Sequence, residues 1–307
     1  MIRFVLVRIL QTILALLGIS ILVFVLVRAT GDPVDLFRTP TSTPEELANI
    51  RQQLGLDKSV PEQYWIFISH AVRGDFGYSY IKKRAVTTMI ADALPNSLKL
   101  GVTSFVVGML AAVLLGVFSA TKRDSALDNV VKFLAILGQA VPPFWLAIMG
   151  IYVFSVYWQV LPAFGTKGIP NYVLPVGTLS FFLLPGMMRL VRSSMLDTLD
   201  TEYIKLARIK GLPERIVIWK HALRNALIAP LTVAGMLFAT LITGEFIIET
   251  VFAWPGVGRV SVEAMIARDF PTVQGAILFV ATLVLVINLI VDILYAYVDP
   301  QIRYQST

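Results

Sequence analysis

The residues able to do chemistry in this chain are few and bunched. From Arg189 to Arg224 stand eight Lys or Arg (Arg189, Arg192, Lys205, Arg208, Lys210, Arg215, Lys220, Arg224) against four acids, Asp197, Asp200, Glu202 and Glu214. Glu245 and Glu249 lie one helical turn apart, and Asn288 and Asp292 repeat that spacing inside an apolar run. Two histidines, His70 and His221, cannot make a histidine-rich metal site, and the lack of cysteine excludes thiolate ligands, disulfides and a cysteine nucleophile. The sequence has no G-x-x-x-x-G-K-[ST] phosphate loop, no H-E-x-x-H and no G-x-S-x-G. No catalytic, cofactor-binding or metal-binding residue is therefore expected. The charged clusters are suited to binding other surfaces.

The elements that position them are set by where charge is missing. The 307 residues are 56% hydrophobic and only 15% charged, where soluble domains carry roughly 25% charge. Uncharged gaps run over 9–27, 100–121, 133–166, 168–188, 225–244 and 270–291. A helix needs about 20 mostly apolar residues to cross a ~30 Å hydrocarbon layer, so each gap predicts one span. The third gap is long and is interrupted by Pro142-Pro143, which predicts a kinked span from about Leu134 to Tyr157, with Trp145, Tyr157 and Trp158 as interface anchors. The fold class expected is all-α: a polytopic membrane protein with six transmembrane helices and a small helical external segment after the first.

Orientation follows from the short loops. Arg3 and Arg8 precede the first span, Lys122 and Arg123 lie between the second and third, and the basic 189–224 segment lies between the fourth and fifth. Cytoplasmic loops carry the Lys and Arg excess, so both termini are expected in the cytoplasm. The first span is 19 residues long, above the 7–15 of a cleaved signal core, and lacks a small-residue cleavage site, so it is read as retained. The net charge of +6 then has a membrane explanation and needs no nucleic acid.

Outside the membrane, Thr43-Pro44-Glu45-Glu46 is a capping box with proline at the first helical position, followed by Leu47, Ile50 and Leu54 on one face and Gly55 as a stop. Ser59-Val60-Pro61-Glu62 repeats the start signal, with Tyr64, Trp65, Ile68 and Val72 apolar and Gly74 ending the helix. These two helices either pack on the span ends or help to dock an external partner. Trp254-Pro255-Gly256-Val257-Gly258 is a turn leading into a short amphipathic stretch around Val260 to Ala267. Asp292 is read chiefly as a helix-orienting or interfacial residue.

Residues Thr201 to Leu227 read as helix, glycine turn, helix. Tyr203 and Ala207 share one face, Gly211 permits a left-handed or close-packed turn, and Pro213 suits a first turn. Ile216, Trp219 and Leu223 form an apolar stripe on the second helix. A basic amphipathic helix of this kind lies on anionic lipid or in a partner's groove.

This segment resembles the cytoplasmic E-A-A-x3-G-x9-I-x-L-P loop of ABC importer permeases. Ala207, Gly211 and Leu223 match its second alanine, glycine and leucine, whereas Lys205, Leu206, His221 and Arg224 depart from its Glu, first Ala, Ile and Pro. Gly31-Asp32-Pro33, Gln53-Leu54-Gly55-Leu56-Asp57, Gly74-Asp75-Phe76-Gly77 and Leu94-Pro95-Asn96-Ser97 resemble the dipeptide/oligopeptide/nickel permease family. So do Ala207 to Leu212, His221 to Ala226, Trp254 to Gly258 and Val291 to Ala296, with Asp299-Pro300 and Ile302-Arg303-Tyr304. The long segment after the first span is similar to that of the first of the family's two permease partners.

The resemblance implies a type I ABC importer permease in a bacterial inner membrane, forming half of a pathway for small peptides or a related ligand. Its implied partners are a homologous second permease, two ATPase subunits that bind ATP and Mg, and an external substrate-binding protein. Residues 1–29 would be the first helix, 30–95 the external segment, 96–300 the permease core with the coupling loop at 201–227, and 301–307 a tail. Glu202, Tyr203, Ala207, Arg208, Gly211, Leu212, His221, Leu223 and Arg224 are the expected coupling residues. Glu245, Glu249, Trp254, Pro255 and Gly256 are expected at an external gate or binding-protein contact. The competing reading is an ion-coupled secondary transporter or membrane scaffold without an ATPase. The spans hold no ladder of ionisable residues of the sort such transporters use.

Overall fold

The computed structural model of the chain describes residues 2–34, 43–53 and 55–298, without the side chains at 2, 4, 53, 127, 240, 242–245 and 294–298. The 301–307 tail, Leu54 and the Glu245 side chain thus lie outside the described residues. Four single helices are long and apolar enough to span: Val5–Ala29, Val86–Thr121, Pro170–Leu199 and Phe270–Ile293. Two bent pairs, Asp128–Ala140 with Pro143–Tyr157 and Glu214–Ala226 with Ile228–Ala239, raise the number to six when each counts as one crossing.

The chain divides into two compact units, Met1–Ser97 with Pro255–Thr307, and Leu98–Trp254. In the first, helix α1 (Ile2–Ala29) packs along the last helix of the chain, Phe270–Val298, burying Val23, Val27, Phe270 and Val273 with Ala264. Arg8 and Asp292 pair at 3.3 Å between those two helices, which accounts for Asp292 as a helix-orienting residue. Helices α2 (Pro44–Gln53) and α3 (Val60–Val72) follow α1. The Thr43 box forms as read: Thr43 N–H donates to Glu46 Oε2 at 2.9 Å and Glu46 N–H donates to Thr43 Oγ1 at 3.3 Å. The second box does not close, because the Ser59 side chain makes no cap bond. Strands β1 (Tyr78–Ser79) and β2 (Arg84–Ala85) form an antiparallel hairpin that the sequence did not announce, since two-residue strands carry no period.

Helix α4 (Val86–Thr121) runs on into the second unit, which continues with α5 (Ala126–Ala140), α6 (Pro143–Gly150) and a π-helical stretch, Ile151–Tyr157. Then come α7 (Pro170–Leu199), α8 (Glu202–Ile209), α9 (Glu214–Ile216), a π-helical stretch over Val217–Ala222, α10 (Leu223–Ala226) and α11 (Ile228–Val251). After the unit boundary, α12 (Val257–Ile266) and α13 (Phe270–Val298) complete the first unit. Of the most apolar stretch of α7, 56% is buried, against 17% for α1 and α13, so α7 is the most enclosed of the long helices while α1 and α13 leave broad apolar faces open.

The single kinked span expected from Leu134 to Tyr157 is corrected. Its two arms meet at 105°, far beyond a proline kink. Val141 and Pro142 both adopt extended backbone, ψ 121° and 137°, because a residue before proline is driven out of the helical region. The first arm is fixed by close approach: a Cβ on Gly138 would lie 2.5 Å from Pro185 Cγ of α7.

Candidate functional site

The 201–227 segment is rooted in an apolar cluster of the second unit. Ile204 and Ala207 of α8, Val217 and Ala222 of the π-helical stretch and Ala226 of α10 are buried with Ala112, Val117 and Ala120 of α4. Val131 and Ala135 of α5, and Met187, Met188, Val191 and Met195 of α7, complete the contact. Closing this base leaves the outer face of α8 in the open. Tyr203, Leu206 and Ile209 follow at i, i+3 and i+6 and are 40%, 55% and 79% exposed.

The turn after α8 is a Schellman-type stop. Gly211 N–H donates to Arg208 O at 2.9 Å and Leu212 N–H donates to Ala207 O at 3.3 Å, with Gly211 at φ +76°. Among the described residues, and its two chain neighbours apart, no atom lies within 4 Å of where a Gly211 Cβ would stand, so the glycine serves the left-handed backbone rather than a close approach. Arg208 spans the turn to Glu214, Nη2 to Oε1 at 2.8 Å and Nε to Oε2 at 3.3 Å. Donating to the Glu214 carboxylate pushes the Arg208 pKa further up. Glu202 accepts from Lys205 Nζ at 2.8 Å and raises that ammonium's pKa likewise. Asn225 Nδ2 donates to Tyr203 Oη at 2.7 Å, so the two helical pieces are tied across the turn. The result is an exposed apolar strip with fixed charges at its rim.

Sequence reasoning placed the apolar stripe at Ile216, Trp219 and Leu223. Leu223 packs on the cluster, but Ile216 and Trp219 are exposed, with Trp219 edge-on to Phe118 at 6.3 Å. The fully buried pair is Val217 and Ala222, five apart, which is the repeat of a π-helix rather than of an α-helix. Ala207 is buried while Tyr203, one turn away, is exposed. His221 is partly buried and Arg224 is exposed. Leu206 and Ile209 were missed, although their i, i+3 spacing was readable.

Near the same base lies a polar cluster that sequence reasoning did not single out. Asp128, wholly buried at the start of α5, accepts from Ser119 Oγ, from Arg192 Nε at 3.1 Å and Nη2 at 3.2 Å, and from Asp124 N–H at 3.1 Å. Lys132 Nζ stands 2.7 Å from the same carboxylate. Four donors on one buried carboxylate join α4, α5 and α7.

The other expected contact group falls in two units. In the second, Glu249 and Trp254 are wholly buried; the Trp254 ring meets Tyr172 edge-on at 4.8 Å, and the Trp254 backbone N–H donates to Glu249 O at 2.7 Å. In the first, Pro255 is exposed and its carbonyl accepts from Asn96 Nδ2 at 3.0 Å, while buried Gly256 precedes α12. Only Pro255 of these four offers surface. The first unit also holds a cavity of about 420 Å³ lined by residues of the hairpin, α4 and α12. On its wall Glu263 accepts from Arg259 Nε at 2.8 Å and Lys82 Nζ at 3.2 Å. Burial works to raise the Glu263 pKa, but those two hydrogen bonds outweigh it and hold the carboxyl below its ordinary range.

Comparison with known proteins defines the class. Residues 112–304 match the family described as "Binding-protein-dependent transport system inner membrane component", and residues 1–101 match its membrane component N-terminal family. Over 306 residues the chain is 39% identical to the "Putative peptide transport system permease protein" of Brucella abortus (strain 2308), covering 97% of this chain and 98% of the relative. It is 38% identical to the "Glutathione transport system permease protein GsiC" of Salmonella choleraesuis (strain SC-B67), covering 99% of this chain and 100% of that one. A solved structure titled "Inward facing conformations of the MetNI methionine ABC transporter" is 20% identical, covering 79% of this chain and 100% of that one at a TM-score of 0.49. The chain belongs to the family of inner-membrane components of binding-protein-dependent transport systems. It is a multi-pass permease subunit, as its sequence led us to expect.

Proposed function

We propose that this permease forms half of a pathway for small peptides in an ABC importer, with a homologous second permease as the other half. An external binding protein delivers the ligand, and two ATPase subunits, which carry ATP and Mg, seat on the α8 surface. Both termini then lie in the cytoplasm. The observation that carries this reading is the α8 strip: Tyr203, Leu206 and Ile209 stay exposed although the opposite face of the same segment is rooted in a closed apolar core. A push received on the strip is delivered to α4, α5 and α7 as one body, because close-packed interiors transmit displacement. Peptide as substrate is supported by the names of the relatives, and glutathione is itself a small peptide.

The test is Ile209→Asp in the assembled transporter. Placing an unpaired carboxylate in an apolar contact is expected to strip the ATPase subunits from the tagged permease during copurification and to abolish ATP-driven uptake in vesicles. Wild-type protein that brings down no nucleotide-binding subunit, with uptake persisting without ATP, would overturn the ABC reading in favour of an ion-coupled transporter. The substrate is read separately, by mass spectrometry of the ligand carried by the cognate binding protein.

A further inference from the structure

Helix α3 is bound along the last turns of α1, from Ser20 to Arg28. Tyr64 Oη and Ser20 Oγ are 2.8 Å apart, and Ser20 lies about 13 Å of helix rise before the span ends at Ala29. Phe24 packs edge-on to Tyr64 at 5.2 Å and lies 6.0 Å from Phe67, centroid to centroid. Arg28, above the Phe24 ring at 3.6 Å, donates to Gln63 Oε1 at 2.6 Å. One side of α3 is thereby used. At 100° per residue, Pro61, Ile68, Val72 and Trp65 continue its apolar arc past Tyr64, and Glu62, Ser69 and His70 lie beyond on the polar side. Trp65 and Val72 are 70% and 82% exposed.

From this geometry we infer that α3 is an interfacial helix, bedded in the leaflet at the C-terminal end of α1, with Trp65 and Val72 in lipid. The occupant follows from continuity. Leu22, Val25 and Leu26 of α1 are exposed on a helix that crosses the bilayer, and so face lipid. The ring contacts of Tyr64 and Phe67 with Phe24 bring α3 level with those residues, so its apolar flank extends the same surface. An amphipathic helix buries its apolar face ~5–10 Å into the headgroup and acyl boundary, with tryptophan favoured at that level. The polar side, carrying Glu62 and His70, then faces water. Residue 65 thus anchors the segment to the bilayer, and α3 holds α1 at a fixed depth.

The protein has no cysteine, so one introduced cysteine carries a label cleanly. We would place a nitroxide at Trp65→Cys, Val72→Cys, Glu62→Cys and His70→Cys, with Leu26→Cys as the lipid reference. The assembled transporter would be reconstituted in vesicles of phosphatidylethanolamine and phosphatidylglycerol, and collision with oxygen compared with collision with a water-soluble nickel chelate. The oxygen-to-nickel ratio is expected to be several-fold higher at 65 and 72 than at 62 and 70, approaching that at 26. Free access of nickel to 65 and 72 would show an aqueous face and overturn the inference. Shielding of both sites from both reagents would assign the face to a protein partner and overturn it equally.

Discussion

The α8 segment of the second unit and the elements α3, the β1–β2 hairpin and α12 of the first both include amphipathic helices outside the spans, but they are attached by different physics. The α8 segment sends Ile204, Ala207, Val217 and Ala222 into a core to which α4, α5 and α7 all contribute. The other elements use more discrete polar and ring contacts, Arg28 to Gln63 and Tyr64 to Ser20 on α3, Arg84 to Asp92 at 2.6 Å on the hairpin, and Lys82 and Arg259 to Glu263 on α12, although α12 also buries Ala264 against α1 and α13. A close-packed base moves with its neighbours, whereas exposed ion pairs, each worth about 0–1 kcal/mol, release and re-form cheaply. The first arrangement suits a part that must transmit a displacement. The second suits a part that must stay seated while adjusting to a partner or to the bilayer.

The comparison breaks most visibly at Asp128. Asp128→Ala leaves Arg192 without its carboxylate in a mostly buried site, and removing one partner of such a pair costs about 3 kcal/mol. We expect a clear drop in the thermal midpoint of the purified permease and loss of ATPase coupling. Unchanged melting would mean that the α4–α5–α7 junction does not depend on this carboxylate. Gly211→Leu comes next: a side chain at φ +76° costs roughly 1–2 kcal/mol, expressed locally in the turn. Uptake should fall while ATP hydrolysis continues, and Gly211→Asn, which tolerates left-handed backbone, should recover most of it. Normal transport and normal ATPase stimulation in Gly211→Leu would remove the turn from the coupling path.

The smallest effect belongs to Glu263. Its pKa is lower in the folded protein than its ordinary value of 4.5, so the associated stability is fully present above that value and is lost as pH falls through the folded pKa. Thermal melts should therefore show wild type and Glu263→Gln converging as pH falls below 4.5 and separating slightly above it. A difference that persists unchanged into acid would assign Glu263 a packing role instead of an ionic one.

The spans were legible because hydrocarbon excludes charge over a length that sequence reports directly, and the Thr43 box was legible because its bonds are local. The 105° bend was not. Pro142-Pro143 announces an interruption, but the direction of the chain afterwards depends on Gly138 meeting Pro185, residues 47 positions apart in sequence. The α8 segment was half legible. Its glycine stop follows from one residue's backbone freedom, while the buried positions Val217 and Ala222 obey a wider turn that no 3.6-residue pattern would select. Trp254 was expected at an external gate or binding-protein contact, yet Tyr172 and the surrounding apolar residues enclose it, a burial set by residues about 80 positions away in sequence.

The wide turn at Val217–Ala222 also has a meaning in register. A π-helical turn is a helix carrying a surplus residue, so the segment stores slack as chain length. Drawn into α-helical form, it would turn everything after it by about 100°, the angle of one residue at 3.6 per turn. Exposed Arg224 and Asn225 would swing from one side of their helix toward another, and the bond from Asn225 Nδ2 to Tyr203 Oη of α8 would have to open. Relaxing this turn would thus re-face the connection between α8 and α11 by a quantised step rather than by a bend.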